Sequence, residues 1–162
     1  MSTSPTSVQP EQEIAKPFCN AAHAFFGMML ESKCAIKDVR PVGEHALEPI
    51  TASVGISGHV NGLVCISVTE ETAKKVLHRL TGLEPEELDD FVMDAVREMA
   101  NMIGGHGKRE LSTEELQLGL PKVLVDDHGS LFEPGWATTQ HIVLETDLGH
   151  CTLTLLFDLP QS

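Results

Sequence analysis

From Gln12 to Glu31, apolar side chains return every three or four residues: Ile14, Phe18, Ala21, Phe25, Met28 and Met29. That spacing predicts an amphipathic helix with one apolar stripe turned toward a core. Cys34 to Val42 then reads as a strand, with Ala35, Ile36 and Val39 ahead of Pro41 and Gly43. Two further apolar runs, Thr51 to His59 and Leu63 to Val68, are joined by His59-Val60-Asn61-Gly62. Asn-Gly accepts positive φ at both central turn positions, so this junction predicts a hairpin.

Thr69, followed by Glu70 and Glu71, opens a second helix. The hydroxyl can cap a free backbone N–H, and the acids complement the positive end of the helix dipole. Ala73, Val76, Leu77 and Leu80 supply its inner face, and Gly82 ends it. Pro85 and the acids Glu86, Glu87, Asp89 and Asp90 start a long third helix that runs from Asp89 to Leu111. Leu88, Val92, Ala95, Val96, Met99 and Ile103 collect on its apolar side.

Past Ser112 the pattern changes to that of strands. Leu116 to Pro121 leads to Val123-Leu124-Val125, and Asp126 to Gly129 breaks the run. Trp136 to Asp147 and His150 to Asp158 alternate cleanly and meet at Asp147-Leu148-Gly149, a second hairpin turn. The order α-β-β-β-α-α-β-β-β predicts an α+β fold, a mainly antiparallel twisted sheet with helices packed on one face. Apolar residues on both faces of the last strand, Leu156 as well as Leu155, predict a sheet edge that is covered or paired with another chain. A homodimer is therefore expected, with the sheet extended across it.

A length of 162 residues suits a single domain with a real core. Residues 11–162 are assigned to that domain. Residues 1–10, rich in Ser, Thr and Pro, are read as a flexible tail rather than a signal peptide. A net charge of −13 repels nucleic-acid phosphates and anionic membrane surfaces alike. With one Trp and no Tyr, stacking platforms for bases are missing. No run approaches the roughly 18 apolar residues of a membrane span, so the expected address is cytoplasmic, with neither nucleic acid nor membrane as partner.

Four scattered cysteines, Cys19, Cys34, Cys65 and Cys151, form no C-x-x-C pair and read as reduced, buried thiols. Cys65 lies mid-strand beside Ile66, which makes it a core thiol rather than a nucleophile. Among eight histidines, His141 and His150 meet Cys151 near the second hairpin. They lack the short paired spacing of zinc ligands, and no metal is expected.

Candidate chemistry centres on the third helix. Glu98 and Asn101, three residues apart, stand about one turn apart on one face. Asp94, Glu98, Asn101 and Gly105 form a polar stripe away from the apolar side. A solvated face would look similar, but two features set this one apart. A mid-helix Asn competes for backbone hydrogen bonds. Gly104 and Gly105 each cost about 1 kcal/mol relative to Ala. The glycines hint that another backbone approaches closely, so Asp94, Gly104 and Gly105 are read as partner-binding.

These residues also carry a resemblance. The hairpin Val54 to Val68, with Gly55-Ile56-Ser57-Gly58, is followed by Thr69-Glu70-Glu71-Thr72-Ala73 and then by Asp94 to Ile103 with Glu98-Met99-Ala100-Asn101. Leu120-Pro121 and Val123 come after the long helix. Together they resemble the CheX branch of the CheC/CheX/FliY chemotaxis phosphatases, over most of the chain from the first helix to the last strand. CheC-like members carry two E-x-x-N sites. In this chain Asn20 has Pro17 three residues before it, so only the Glu98–Asn101 site remains, as in the CheX type. His106-Gly107 departs from the Asn-Ala-like pair of many relatives.

The resemblance implies hydrolysis of the aspartyl phosphate on a response-regulator receiver domain such as CheY. It implies that Asn101 positions the attacking water, since phosphoryl transfer depends mainly on positioning. Glu98 would pair with the receiver's active-site lysine. Mg²⁺ would belong to the receiver, so this chain needs no cofactor of its own. The resemblance also implies a homodimer. The alternative is a receiver-binding adaptor, or a scaffold like the FliM/FliN flagellar-switch proteins.

Overall fold

The computed structural model describes residues 10–41, 47–111, 115–126, 131 and 135–158. Its elements are α1 (Pro10–Met29), β1 (Cys34–Pro41), β2 (Ile50–Ser57), β3 (Asn61–Val68), α2 (Glu70–Thr81) and α3 (Asp90–Leu111). They are followed by β4 (Gln117–Leu118), β5 (Lys122–Val125), β6 (Thr138–Thr146) and β7 (Gly149–Asp158). The predicted α+β order holds, with the Leu116–Val125 stretch divided into two short strands. Pro10, placed in the tail by its composition, is the first residue of α1. Residues 1–9 of that tail lie outside the described residues, as does Val42 at the end of the first predicted strand.

All strand pairs are antiparallel, in the order β1-β6-β7-β3-β2-β4, with β5 also on β2. The far side of β2 is shared: β5 pairs with Ile50 to Ser53, and β4 with Ile56 and Ser57. The main core lies between the sheet and the helices. Alternate residues of β2 (Ile50, Ala52, Val54, Ile56) and of β7 (Leu153, Leu155, Phe157) meet Phe18, Phe26, Val96 and Ile103 in it.

The last strand is not an edge. β7 lies between β6 and β3, so the expectation of an edge there is corrected. Its two apolar faces have separate covers. Leu155 belongs to the main core, and Leu156 joins Cys65 and Leu131 in a smaller cluster. Leu63, Leu124 and Trp136 pack on that cluster, and the Trp136 indole N–H donates to the Leu131 carbonyl at 2.8 Å. The outer strands are β1 on one side and β4 with β5 on the other.

The first hairpin forms as predicted, but its turn is not at Asn-Gly. Gly62 already pairs with Ile56, and the turn is made earlier, with Gly58 at φ 144°. The Gly58 N–H donates to the Asn61 side-chain oxygen at 3.3 Å. Gly62 serves a packing need instead, because a Cβ there would collide with the Phe157 ring. The second hairpin turns at Asp147-Leu148, between the paired residues Thr146 and Gly149.

Local chemistry sets the helix ends. Thr69 Oγ1 accepts from the Thr72 N–H at 3.1 Å, and Gly82 closes α2 at φ 81°. Asp89 caps α3, with its Oδ1 accepting from the Val92 N–H at 3.0 Å. In α1, Ile14, Phe18, Ala21 and Phe25 are buried as predicted, along with Ala22, Phe26 and, just past the helix end, Leu30. Met28 and Met29, expected in that stripe, are 81% and 43% exposed. Phe26 and Leu30 take the inward positions of the last turn and leave the methionines outside.

Candidate functional site on helix α3

Helix α3 is held on two sides. Val92, Ala95, Val96, Met99, Ala100 and Ile103 are buried, and the glycines let neighbours come close. Gly104 is buried against Val54 of β2, and Gly105 lies beside Leu118 of β4. Gly107 lies under the Phe18 ring of α1, where a Cβ would collide with it. The close approach inferred from the glycines is therefore made by this chain's own side chains. Gly104, assigned to the partner surface, faces inward instead, because its missing Cβ makes room for Val54. Gly105 is half-buried at the margin of the outer face.

That seating turns Glu98 and Asn101 outward. Glu98 is exposed and Asn101 half-buried, and their Cα atoms are separated by about 4.5 Å of helix rise. Neither side chain makes a hydrogen bond or ion pair among the described residues. The nearby guanidinium of Arg97 is engaged elsewhere, with Asp94 one turn earlier. Asp94, read as partner-binding, thus shares its charge with Arg97 on an exposed surface. Such pairs contribute about 0–1 kcal/mol, so it is readily exchanged for another contact. Among the described residues, the Glu98 carboxylate has no cation paired with it.

The same helix face carries residues that periodicity did not single out. Phe91 is 63% exposed and Met102 is 36% exposed, on either side of Glu98. A helix places consecutive residues about 100° apart, which brings Phe91, Glu98 and Met102 within roughly 40° of one direction. The outer stripe is a free carboxylate and a free carboxamide between two apolar side chains. Ionised carboxylate only accepts hydrogen bonds, whereas the carboxamide both donates and accepts. The pair can orient a cation and a water molecule.

Groups that could attack covalently lie elsewhere. Burial pushes the Cys65 thiol up to about 12, and Cys19 and Cys34 up to about 11. Cys151, fully buried, is raised as well, first by burial and then by neighbouring Cys34 and Glu48. His141 is buried, with its Nδ1 2.7 Å from Thr154 Oγ1. His141 pairs with Thr154 while Cys151 pairs with Leu144, so these candidate ligands point to opposite faces of the sheet. Among the described residues, no three His, Cys, Asp or Glu side chains come together where they could hold a metal ion. No helix among them is long and apolar enough to cross a membrane.

The family model for the chemotaxis phosphatase CheX matches residues 50–144, a span that runs from β2 into β6 and includes all of α3. The chain belongs to the CheX family. Solved structures agree on the fold. A chemotaxis protein CheX from Desulfovibrio desulfuricans is 26% identical with a TM-score of 0.75, covering 90% of this chain and 99% of its own. The CheX–CheY–BeF3–Mg²⁺ complex from Borrelia burgdorferi shows 18% identity and a TM-score of 0.65, over 90% and 97% of the two chains. The middle domain of FliM from Vibrio alginolyticus, at 13% identity and a TM-score of 0.59, covers 91% and 92%. Among curated proteins, none matches. Helical period did not single out Phe91 and Met102, the exposed apolar residues beside the pair, and it placed Met28 and Met29 in the buried stripe of α1 when they lie at the surface.

Proposed function

We propose that this chain hydrolyses the aspartyl phosphate of a CheY-like receiver domain and so ends a response-regulator signal in the cytoplasm. One observation carries the reading: Glu98 and Asn101 project from one turn of α3 with side chains unengaged by the rest of the described protein. Membership of the CheX family supports the chemistry, and the CheX–CheY complex of a structural neighbour supports the kind of partner.

Helix α3 docks over the receiver's phosphorylated aspartate. The Asn101 carbonyl accepts a hydrogen bond from a water molecule and holds its oxygen behind phosphorus, opposite the leaving carboxylate. The bond formed is water oxygen to phosphorus, and the bond broken is phosphorus to the aspartyl oxygen. The products are free aspartate and inorganic phosphate. Glu98 faces away from the phosphoryl charge and pairs with a lysine of the receiver, which fixes the register of docking. Mg²⁺ belongs to the receiver, and no role assigned to this chain calls for a metal.

A homodimer forms part of the same proposal, with its contact moved from β7 to the outer strand β1. Ile36 and Val39 there are 53% and 50% exposed, and among the described residues β1 has a strand partner on one side only. A receiver-binding adaptor or switch-like scaffold is the competing reading, since the FliM domain shares the fold. The deciding experiment uses receivers of the host phosphorylated with labelled acetyl phosphate, with loss of label followed over time. Faster loss in the presence of the protein supports the phosphatase. Binding without faster loss supports the adaptor.

A further inference from the structure

Between α1 and α3 a surface groove begins one residue past Asn101. Ala21, Phe25, Met28, Met29, Met102 and His106 line it. Its volume, about 170 Å³, is well under the roughly 300–1,000 Å³ of pockets that enclose small molecules. It has room for one large side chain. Its walls are mainly thioether and hydrocarbon, and Met28 stands out from the last turn of α1. Methionine is flexible and polarisable, and it adapts to the shape of an apolar visitor.

We infer that this groove is the second contact for the receiver domain, taking an apolar side chain from the face whose cation meets Glu98. The inference rests on the reading of Glu98 and Asn101 as receiver-facing. The two places are continuous, since Met102 follows Asn101 directly and shares the outer side of α3 with Glu98. Glu98 and Met102 lie about 40° apart around the helix, so a partner that engages Glu98 also reaches Met102. Charge points the same way. Glu98 carries no cation from this chain among the described residues, so it is open to a cation on the occupant, with the apolar groove close by. Phe91, two turns before Glu98, extends the apolar contact at the other end. A few well-packed side chains seated in desolvated pockets carry most of an interface's affinity. The groove sets how tightly the receiver is held, while Asn101 sets how fast the phosphate leaves.

The test uses the full chain and the receiver domains of the host, each loaded with beryllium fluoride and Mg²⁺ as a stable stand-in for aspartyl phosphate. Three variants are compared with the unaltered protein: M28K/M102K, M28L/M102L and L120K. Leu120 is 86% exposed on the opposite side of the sheet, where it lines a depression with Ser53, Gly55 and Leu63. All the altered side chains are at the surface, and circular dichroism checks that each variant is folded. M28K/M102K is expected to weaken binding at least tenfold, with M28L/M102L and L120K within about threefold of the unaltered protein. Loss of phosphate at limiting receiver should slow in M28K/M102K in proportion to its weaker binding. Equal weakening by L120K, undiminished binding of M28K/M102K, or no receiver bound at all would overturn the inference. Failure of the phosphatase reading has a different signature: receivers bind, the groove variant weakens them, and phosphate leaves at the receiver's own rate.

Discussion

The backbone of Gly104 rests on the side chain of Val54: a Cβ built at that glycine falls 2.5 Å from Val54 Cγ1. Gly104→Ala forces either α3 or β2 to move. Overpacking of this kind costs about 1–3 kcal/mol, partly offset by the gain of about 1 kcal/mol in helix propensity. A net loss of up to about 2 kcal/mol is expected in urea unfolding. At Gly105 the nearest atom is Leu118 Cδ2 at 3.5 Å, an ordinary contact. Gly105→Ala should be neutral or stabilising by up to about 1 kcal/mol. If Gly105 also touches the receiver backbone, that variant raises KM without loss of stability. Equal destabilisation by both changes would count against this seating of α3.

Asn101→Ala removes the carboxamide and leaves a good helix former in its place. Loss of a positioned polar group at the reacting centre typically costs on the order of 10²- to 10³-fold in rate. Hydrolysis is expected to fall to the receiver's spontaneous rate, with affinity for the beryllofluoride-loaded receiver within about threefold. Stopped-flow assays at saturating receiver measure the first, and titration the second. A variant that keeps full activity removes the water-positioning role.

Glu98→Lys places a like charge against the receiver's lysine. Affinity should drop at least tenfold, about 1.4 kcal/mol or more. The salt dependence of binding should also change: attraction in the unaltered protein is screened as salt rises, and repulsion in the variant is relieved. Unchanged affinity at low ionic strength would rule out the ion pair.

The buried thiols make stability depend on alkaline pH. The ordinary thiol value is 9.0, and burial raises Cys65 to about 12 and Cys34 to about 11. Below pH 9 both folded and unfolded thiols are protonated, and their contribution is fully present. Above pH 9 the unfolded thiols ionise while the folded ones keep their protons, so stability falls as pH rises toward 11–12. Each such thiol adds a slope of up to about 1.4 kcal/mol per pH unit. Urea midpoints between pH 8 and 11 should decline less steeply for Cys65→Ala than for the unaltered protein. Parallel declines would mean that Cys65 is not protected.

Much of this architecture was legible from local chemistry. Thr69 and Gly82 bound α2 as their side-chain properties require, and Asp89 caps α3 where the acids cluster. The outward placement of Glu98 and Asn101 followed from helical period alone. What escaped were residues whose reason lies far along the chain. Gly62 looked like a turn residue because Asn61 precedes it, yet it answers to Phe157. Gly104 looked like an invitation to a partner, yet it accommodates Val54. Met28 and Met29 fit the apolar stripe of α1 until Phe26 and Leu30 are seen to occupy the inward side. Hydrophobic pattern gives a helix its face within about one residue, and that residue decides whether a methionine belongs to the core or to a groove.

The position of β7 bears on how the protein is made. Although it follows every other strand in sequence, it is inserted between β3 and β6. During synthesis, β3 can pair with β2 on one side, but its other edge stays bare until residues near 158 have left the ribosome. Contacts between remote segments form late and slowly, and exposed strands invite aggregation in the interval. Production of this protein should therefore be unusually sensitive to translation arrest or proteolytic nicking near Gly149. Such events would strip the middle of the sheet while leaving α3, with Glu98 and Asn101, already synthesised but without the platform that aims it.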